Sequence, residues 1–173
     1  MGRASTKENK SVYQLKREEL GLTREKASDL LVGLSPERIE KIENGKTQVH
    51  PEDVLIMAEG YGAPSLNNYY CSHECPIGQR YVPELEVKDL SRIVLEMLAS
   101  LNSLQKDQER LIDIAADGEV QVAELEDFIR IQENLERMSM TVDTLELWSE
   151  EMLTSGKIDK EAYEKLKKAR ENG

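Results

Sequence analysis

The chain has 173 residues, enough for one ordinary domain or two small ones and too few for most multi-domain enzymes. Charged residues make up 33% and hydrophobic residues 39%, with aromatics at only 5%, so the chain can bury a modest core. Five Pro and ten Gly are too few for an all-β chain, and the abundant Leu, Glu and Lys favour helices. The longest unbroken apolar run, Val54 to Ala58, excludes a transmembrane helix and the apolar core of a secretory signal peptide. Two cysteines without an export signal point to a reducing compartment. The expectation is an all-α, cytoplasmic chain with no membrane span.

In chain order, residues 1–10 are polar and basic and are expected to form a flexible arm. Met1, Gly2 and Thr6 formally match an N-myristoylation pattern, but nothing else suggests a membrane. Residues 11–72 carry five short helical segments. The first runs from Val12 to about Leu20 and stops at Gly21. The second opens with Thr23 as N-cap, and the third with Ser35 as N-cap and Pro36 at its first position, ending at Asn44-Gly45. The fourth starts at Pro51, the fifth near Pro64-Ser65. Residues 73–84, with Cys75-Pro76 and Val82-Pro83, read as a linker.

From residue 85 to 155 the periodicity changes. Leu90, Val94, Met97, Leu101, Leu104, Leu111 and Ala115 form a heptad seam, broken at Gln108. Asp117-Gly118 interrupts it, and a second seam follows on Phe128, Ile131, Leu135, Met138, Val142, Leu145 and Met152. Two long helices joined by a Gly turn predict an antiparallel, coiled-coil-like hairpin. Ile93, Leu98, Ile112, Ile129 and Trp148 lie beside the seams, more apolar surface than one partner helix covers. A second copy of the chain, giving a four-helix dimer, is the expected remedy. Residues 156–173 hold one short amphipathic helix, around Glu161–Ala169.

The net charge of −11 is unevenly spread: residues 1–62 hold ten Lys/Arg against eleven Asp/Glu, and residues 63–173 hold 13 against 23. A near-neutral N-terminal half with a basic arm can meet phosphates, which an acidic C-terminal half repels.

Leu15, Leu20-Gly21-Leu22-Thr23, Leu31, Leu34-Ser35, Ile39, Ile42-Glu43-Asn44-Gly45-Lys46, Leu55 and Ala58 carry a family pattern. On these residues the N-terminal segment resembles the phage-repressor-like helix-turn-helix family (Cro/Xre type). The resemblance implies a five-helix domain whose third helix enters the major groove of double-stranded DNA. The candidate DNA-binding residues are Thr23, Arg24, Ser35, Pro36, Glu37, Arg38, Glu40, Lys41 and Lys46. Leu34, Ile39 and Ile42 are spaced to pin the third helix, leaving Pro36, Glu37, Glu40 and Lys41 outward. Thr23-Arg24 opens the second helix, where the resemblance implies phosphate contact, with Lys46 and the arm residues Arg3, Lys7 and Lys10 adding more. Two departures stand out. The turn Leu31-Val32-Gly33-Leu34 is one residue longer than usual, and Glu37 and Glu40 stand where the family commonly carries Ser, Thr, Arg or Gln.

Cys71, His73 and Cys75 are candidate zinc ligands or a redox pair, although a structural zinc needs a fourth ligand. The alternative is a packed helix end with reduced thiols. Asp113, Asp117, Gly118 and Glu124 mimic a calcium loop, but Ala115 fails its third place, and a hairpin turn explains the same residues. No catalytic motif is present, so the chain is not expected to be an enzyme and needs no cofactor beyond that candidate zinc. The expected function is a dimeric, sequence-specific DNA-binding transcriptional regulator. Its rivals are a protein-interaction module (an antirepressor or adaptor) whose acidic hairpin docks a protein partner, and a metal- or redox-sensing regulator.

Overall fold

The computed structural model describes residues 9–116 and 118–171. Arg3, Lys7, Met1, Gly2, Thr6 and Asp117 lie outside the described residues, among which every regular element is helical. The chain forms two compact units. One comprises the residues up to Glu84 together with those from Glu150 onward; the other is Leu85–Ser149.

In the first unit, local chemistry sets each boundary. Helix α1 (Val12–Glu19) starts where the Ser11 hydroxyl accepts the Gln14 N–H, and α2 (Arg24–Leu30) where Thr23 accepts the Lys26 N–H. Helix α3 (Pro36–Glu43) is capped by Ser35 with Pro36 in its first turn. Each side-chain cap satisfies an amide that the helix itself leaves without a partner. Helix α4 (Pro51–Tyr61) follows a tighter cap, in which the Asp53 carboxylate accepts the His50 N–H at 3.0 Å. It ends at Gly62, whose φ of 60° is left-handed.

Helix α5 (Ser65–Tyr69) runs directly into a π-helical turn, Tyr70–Glu74, closed by the Cys75 N–H on the Tyr70 carbonyl at 2.9 Å. A short helix α6 (Gly78–Tyr81) follows. Much of the segment expected as linker is therefore folded. Pro76 cannot extend the helix, and the chain turns back so closely that a Cβ on Gly78 would lie 2.0 Å from the Cys71 carbonyl oxygen. Only glycine permits that approach.

Tyr13, Ala27, Leu31, Leu34, Ile39, Ile42, Val54, Met57, Tyr61 and Leu66 fill the core of this unit. One residue or more from each of α1 to α5 is buried there, the arrangement that short amphipathic helices require. From the chain's other end, Glu151, Met152, Ser155 and Lys157 share a shallow cleft with Leu20, Tyr61 and Ala63. Helix α9 (Lys160–Glu171) is exposed along its whole length.

The second unit is built on α7 (Leu90–Ala115) and most of α8 (Leu125–Thr154), joined through a 3-10 turn at Val122–Glu124. Asp107 meets Arg130 and Asn134, while Arg110 meets Asp127, so the two helices run antiparallel. The seam differs from the expected one. On α7 the buried line is Ile93, Asp107 and Ile114, with half-buried Ser100 between, a heptad one residue ahead of Val94 and Leu101. Facing it on α8 are Ile131, Asn134, Thr141, Thr144 and Leu147. A polar layer explains the rotation. The Asp107 carboxylate accepts from Asn134 at 2.6 Å and from Arg130, while Thr141 and Thr144 satisfy their hydroxyls on the carbonyls of Arg137 and Met140. These groups can be buried because they are hydrogen-bonded. Leu90, Val94, Leu98 and Leu101 consequently remain 40–52% exposed.

Removing a fully buried side chain should separate cleanly from trimming the surface. Met57→Ala, in the core at 0% exposure, is expected to cost about 2–5 kcal/mol in urea unfolding. Val32→Ala, at 85% exposure in the α2–α3 turn, should change stability by less than about 0.5 kcal/mol.

Candidate nucleic-acid interface

Three helices meet at one carboxylate. Glu43, at the end of α3, is buried and accepts from Arg17 of α1 at 2.5 and 2.9 Å and from Arg24 of α2 at 2.9 Å. Arg17 also donates to the Leu22 carbonyl at 2.6 Å, which fixes the turn between α1 and α2. A planar guanidinium matches a carboxylate along two parallel bonds, and the Arg17–Glu43 pair has that geometry. The buried Tyr61 phenol beside it is pushed up to about 12, first by burial and then by the Glu43 charge.

The α2–α3 turn is secured separately. Gly33 has a φ of 105°, a value that disfavours any other residue, and the Ser28 hydroxyl donates to the Leu34 carbonyl at 2.7 Å. Gly33 thus makes the turn, while Leu31 and Leu34 on either side are buried. With Ile39 and Ile42 also buried, α3 presents Glu37 and Lys41 to solvent, with Pro36 and Glu40 half-buried beside them. This is the outward set that the spacing predicts.

The candidate cations are placed less simply. Arg24 is turned toward Glu43 and is 31% exposed. Arg38 ties α3 to the start of α4: it donates to Thr47 at 2.9 Å, to the Gln48 carbonyl at 3.0 Å, and to both carboxylate oxygens of Asp53. Both arginines therefore serve the fold as internal ties. Lys46 lies 3.7 Å from Glu40, and Lys10 is held by Glu18 at 2.6 Å. Thr23 and Ser35 use their hydroxyl oxygens as caps, and those ends of α2 and α3 carry acid as well. The Glu25 and Glu37 carboxyls are each held below the usual range by their own backbone amide and by the Thr23 or Ser35 hydroxyl. A phosphate approaching either helix end meets a carboxylate already seated there.

Cys71, His73 and Cys75 do not come together as metal ligands: no group of three or more His, Cys, Asp or Glu among the described residues could hold an ion. The π turn is the physical reason. It stacks His73 on Tyr69 with ring centroids 4.5 Å apart, turns one imidazole nitrogen to the Ser72 hydroxyl and Tyr69 carbonyl, and brings the other within 3.4 Å of Glu84. Cys75 sulfur instead accepts the Gly78 N–H at 3.4 Å. Glu124, the last place of the calcium-like loop, caps the Gln121 N–H at 3.1 Å and faces Arg110 at 3.8 Å.

Sequence reasoning missed Arg17 and Glu43 as a clamp. The one signal was a Glu following Ile42, on the inward side of a helix whose other acids point out.

Two measurements follow from these ion pairs. Glu43→Ala leaves the buried Arg17 without its partner, and is expected to lose about 3–5 kcal/mol in denaturant unfolding. For Asp53, burial alone would raise the carboxyl, but the Arg38 hydrogen bonds and the His50 amide outweigh it and hold it below the usual range. A carboxyl depressed in the folded state stabilises above its unfolded value, near 3.9, and that contribution is lost as pH falls through the folded value. Thermal midpoints should therefore drop below about pH 4, and Asp53→Asn should flatten that part of the profile.

Residues 15–66 match a family model described as a helix-turn-helix domain. Comparison with curated proteins and with solved structures gave no match. The match begins within α1 and ends in α5, spanning the capped α2, the Gly33 turn and α3. Sequence match and geometry agree, and the N-terminal part of this chain is a helix-turn-helix domain.

Proposed function

We propose that this chain is a sequence-specific regulator of double-stranded DNA, acting in the cytoplasm as a homodimer, with α3 in the major groove. The observation that carries this reading is the helix-turn-helix match over α2 and α3, together with an α3 whose outward face is free of core packing. Charge supports the division of labour. The first unit holds 17 basic residues against 19 acidic, while Leu85–Ser149 holds six against fifteen. The acidic excess therefore belongs to the hairpin, and the unit bearing α3 is close to neutral.

Dimerisation rests on the hairpin's exposed leucines. Leu90, Val94, Leu98 and Leu101 on α7 lie on successive turns, and Leu135 and Val142 of α8 are also exposed. A contiguous apolar face of this kind is the usual mark of an interaction surface. A two-fold dimer presents two α3 helices to half-sites about one helical turn apart. Such a regulator works by occupying a promoter, without catalysis or a bound metal.

A second reading is favoured by one observation. With Arg24 and Arg38 drawn inward, Glu25, Asp29, Glu37 and Glu40 outnumber the cations Lys26, Lys41 and Lys46 near α2 and α3. That balance suits a basic protein partner better than it suits a phosphate backbone.

Selection of bound duplexes from a random library separates the two. A recovered palindrome whose affinity falls steeply with added salt is the outcome expected of the DNA regulator. Lys41→Ala and Lys46→Ala should weaken binding to all sequences and each reduce the salt slope by about one. Glu37→Gln/Glu40→Gln should shift the preferred bases, since a carboxylate reads the cytosine amino group. No enrichment from a folded, dimeric sample would leave the protein-partner reading standing.

A further inference from the structure

Helix α9 is set off from the preceding helix by local bonds of its own. Gly156, at a φ of 71°, follows the end of α8, and the N–H groups of Lys157 and Ile158 both donate to the Met152 carbonyl, at 2.9 and 3.1 Å. The Asp159 carboxylate then accepts the Ala162 N–H at 3.0 Å and opens the new helix. All 12 residues of α9 are exposed, and a helix of that length is marginal in water without a surface to pack on. At 3.6 residues per turn, Ala162, Tyr163, Leu166 and Ala169 form one stripe. Tyr163 and Leu166 line an open, mostly apolar groove with Lys167 and Arg170. Lys165 borders the stripe on its other side, while Glu161, Glu164 and Glu171 all fall on the opposite face. The apolar stripe is therefore edged by cations, and none of Lys165, Lys167 and Arg170 forms an ion pair among the described residues.

The outer face of α8 carries the opposite charge around a similar centre. Ile129 and Met140 are 52% and 41% exposed. They stand roughly 16 Å apart along the helix, close to the roughly 18 Å length of α9. Glu126 and Glu133 sit one turn to either side of Ile129, and Glu136 and Asp143 one turn to either side of Met140. The nearby arginines do not neutralise these acids, because Arg110 and Arg130 are engaged by Asp107, Glu124 and Asp127. We infer that α9 docks along this face of α8 in a second copy of the chain, which returns the contact so that a two-fold axis closes the pair. The α9 stripe covers Ile129 and Met140, while Lys165, Lys167 and Arg170 meet the four acids. Opposite charges of this kind fix register and partner choice more than they add affinity. The same chain cannot supply both halves. Ile129 lies 25 residues, roughly 37 Å, before the end of α8, beyond the reach of α9 on a connection pinned to Met152. The inference rests on the homodimer reading and adds a charge-selective contact to the exposed leucines of α7.

Sedimentation equilibrium of the full chain tests this with charge reversals placed on separate copies. One variant carries Lys165→Glu/Lys167→Glu/Arg170→Glu, the other Glu126→Lys/Glu133→Lys/Glu136→Lys. Each alone is expected to dimerise about tenfold more weakly than the wild type. An equimolar mixture should recover the wild-type affinity, since each α9 then faces a hairpin of opposite charge. Circular dichroism checks that both variants are folded; if the hairpin variant is not, a chain ending at Gly156 replaces it and should be weakened as the α9 variant is. A wild-type dimer that the α9 reversal leaves unchanged, or a mixture no tighter than its separate components, would overturn docking by α9 and leave the leucine-mediated dimer standing. A wild-type chain that stays monomeric at every concentration would remove both. Loss of duplex DNA binding by the α9 reversal, with self-association unchanged, would give the basic edge to nucleic acid and likewise overturn the inference.

Discussion

Glu43 is the single anion on which α1, α2 and α3 converge, accepting from Arg17 and Arg24 while it is itself sealed from solvent. Two guanidiniums around one carboxylate are stable in a core only when the remaining donors are used, and the Leu22 carbonyl takes one of Arg17's. Geometry follows from this. Since the pair is bidentate, it limits rotation of α3 about its own axis as well as its distance from α1. The hydrophobic contacts of Ile39 and Ile42 hold α3 down, but apolar packing is non-directional, and it is the clamp that specifies which face turns outward. Arg38 repeats the device on the other side, binding α3 to the cap of α4 through Asp53.

The same clamps shape what α3 can do. Arginines that would otherwise meet phosphates are spent on architecture, and the helix ends that attract anions already hold Glu25 and Glu37. Under the proposed reading, non-specific attraction to DNA is weak, so affinity has to come from base contacts and from two linked half-sites. The hairpin suits that requirement. Its interior holds the hydrogen-bonded pair Asp107 and Asn134, closed from the solvent side by exposed Arg130, a polar layer that fixes how α7 and α8 align, and its leucines are left on the outside. No helix among the described residues is long and apolar enough to cross a membrane.

Much of this was legible in the sequence because it is encoded locally. Caps at Thr23 and Ser35, proline at position 36 and glycines after α1 and α3 act within a few residues, and the helix boundaries fall where those residues place them. Long-range choices were less legible. The heptad of leucines on α7 pointed to a seam, yet Ile93, Asp107 and Ile114 occupy it, because Asp107 finds Asn134 and Arg130 across the hairpin. Likewise Arg24 and Arg38 look like phosphate ligands until Glu43 and Asp53 are placed beside them. The π turn at Tyr70–Glu74 has no periodic signature, so the spacing of Cys71, His73 and Cys75 could not show that the three are not grouped among the described residues.

The most direct measurement is residue-resolved NMR of the 15N-labelled chain titrated with short mixed-sequence duplex DNA at low ionic strength. Selective shifts at Glu37, Glu40, Lys41 and Lys46, with Asp107 and Asn134 unmoved, are the expected result. A folded chain that shows no shifts on α3, or shifts confined to the hairpin, would contradict the assignment of α3 as the surface that meets DNA.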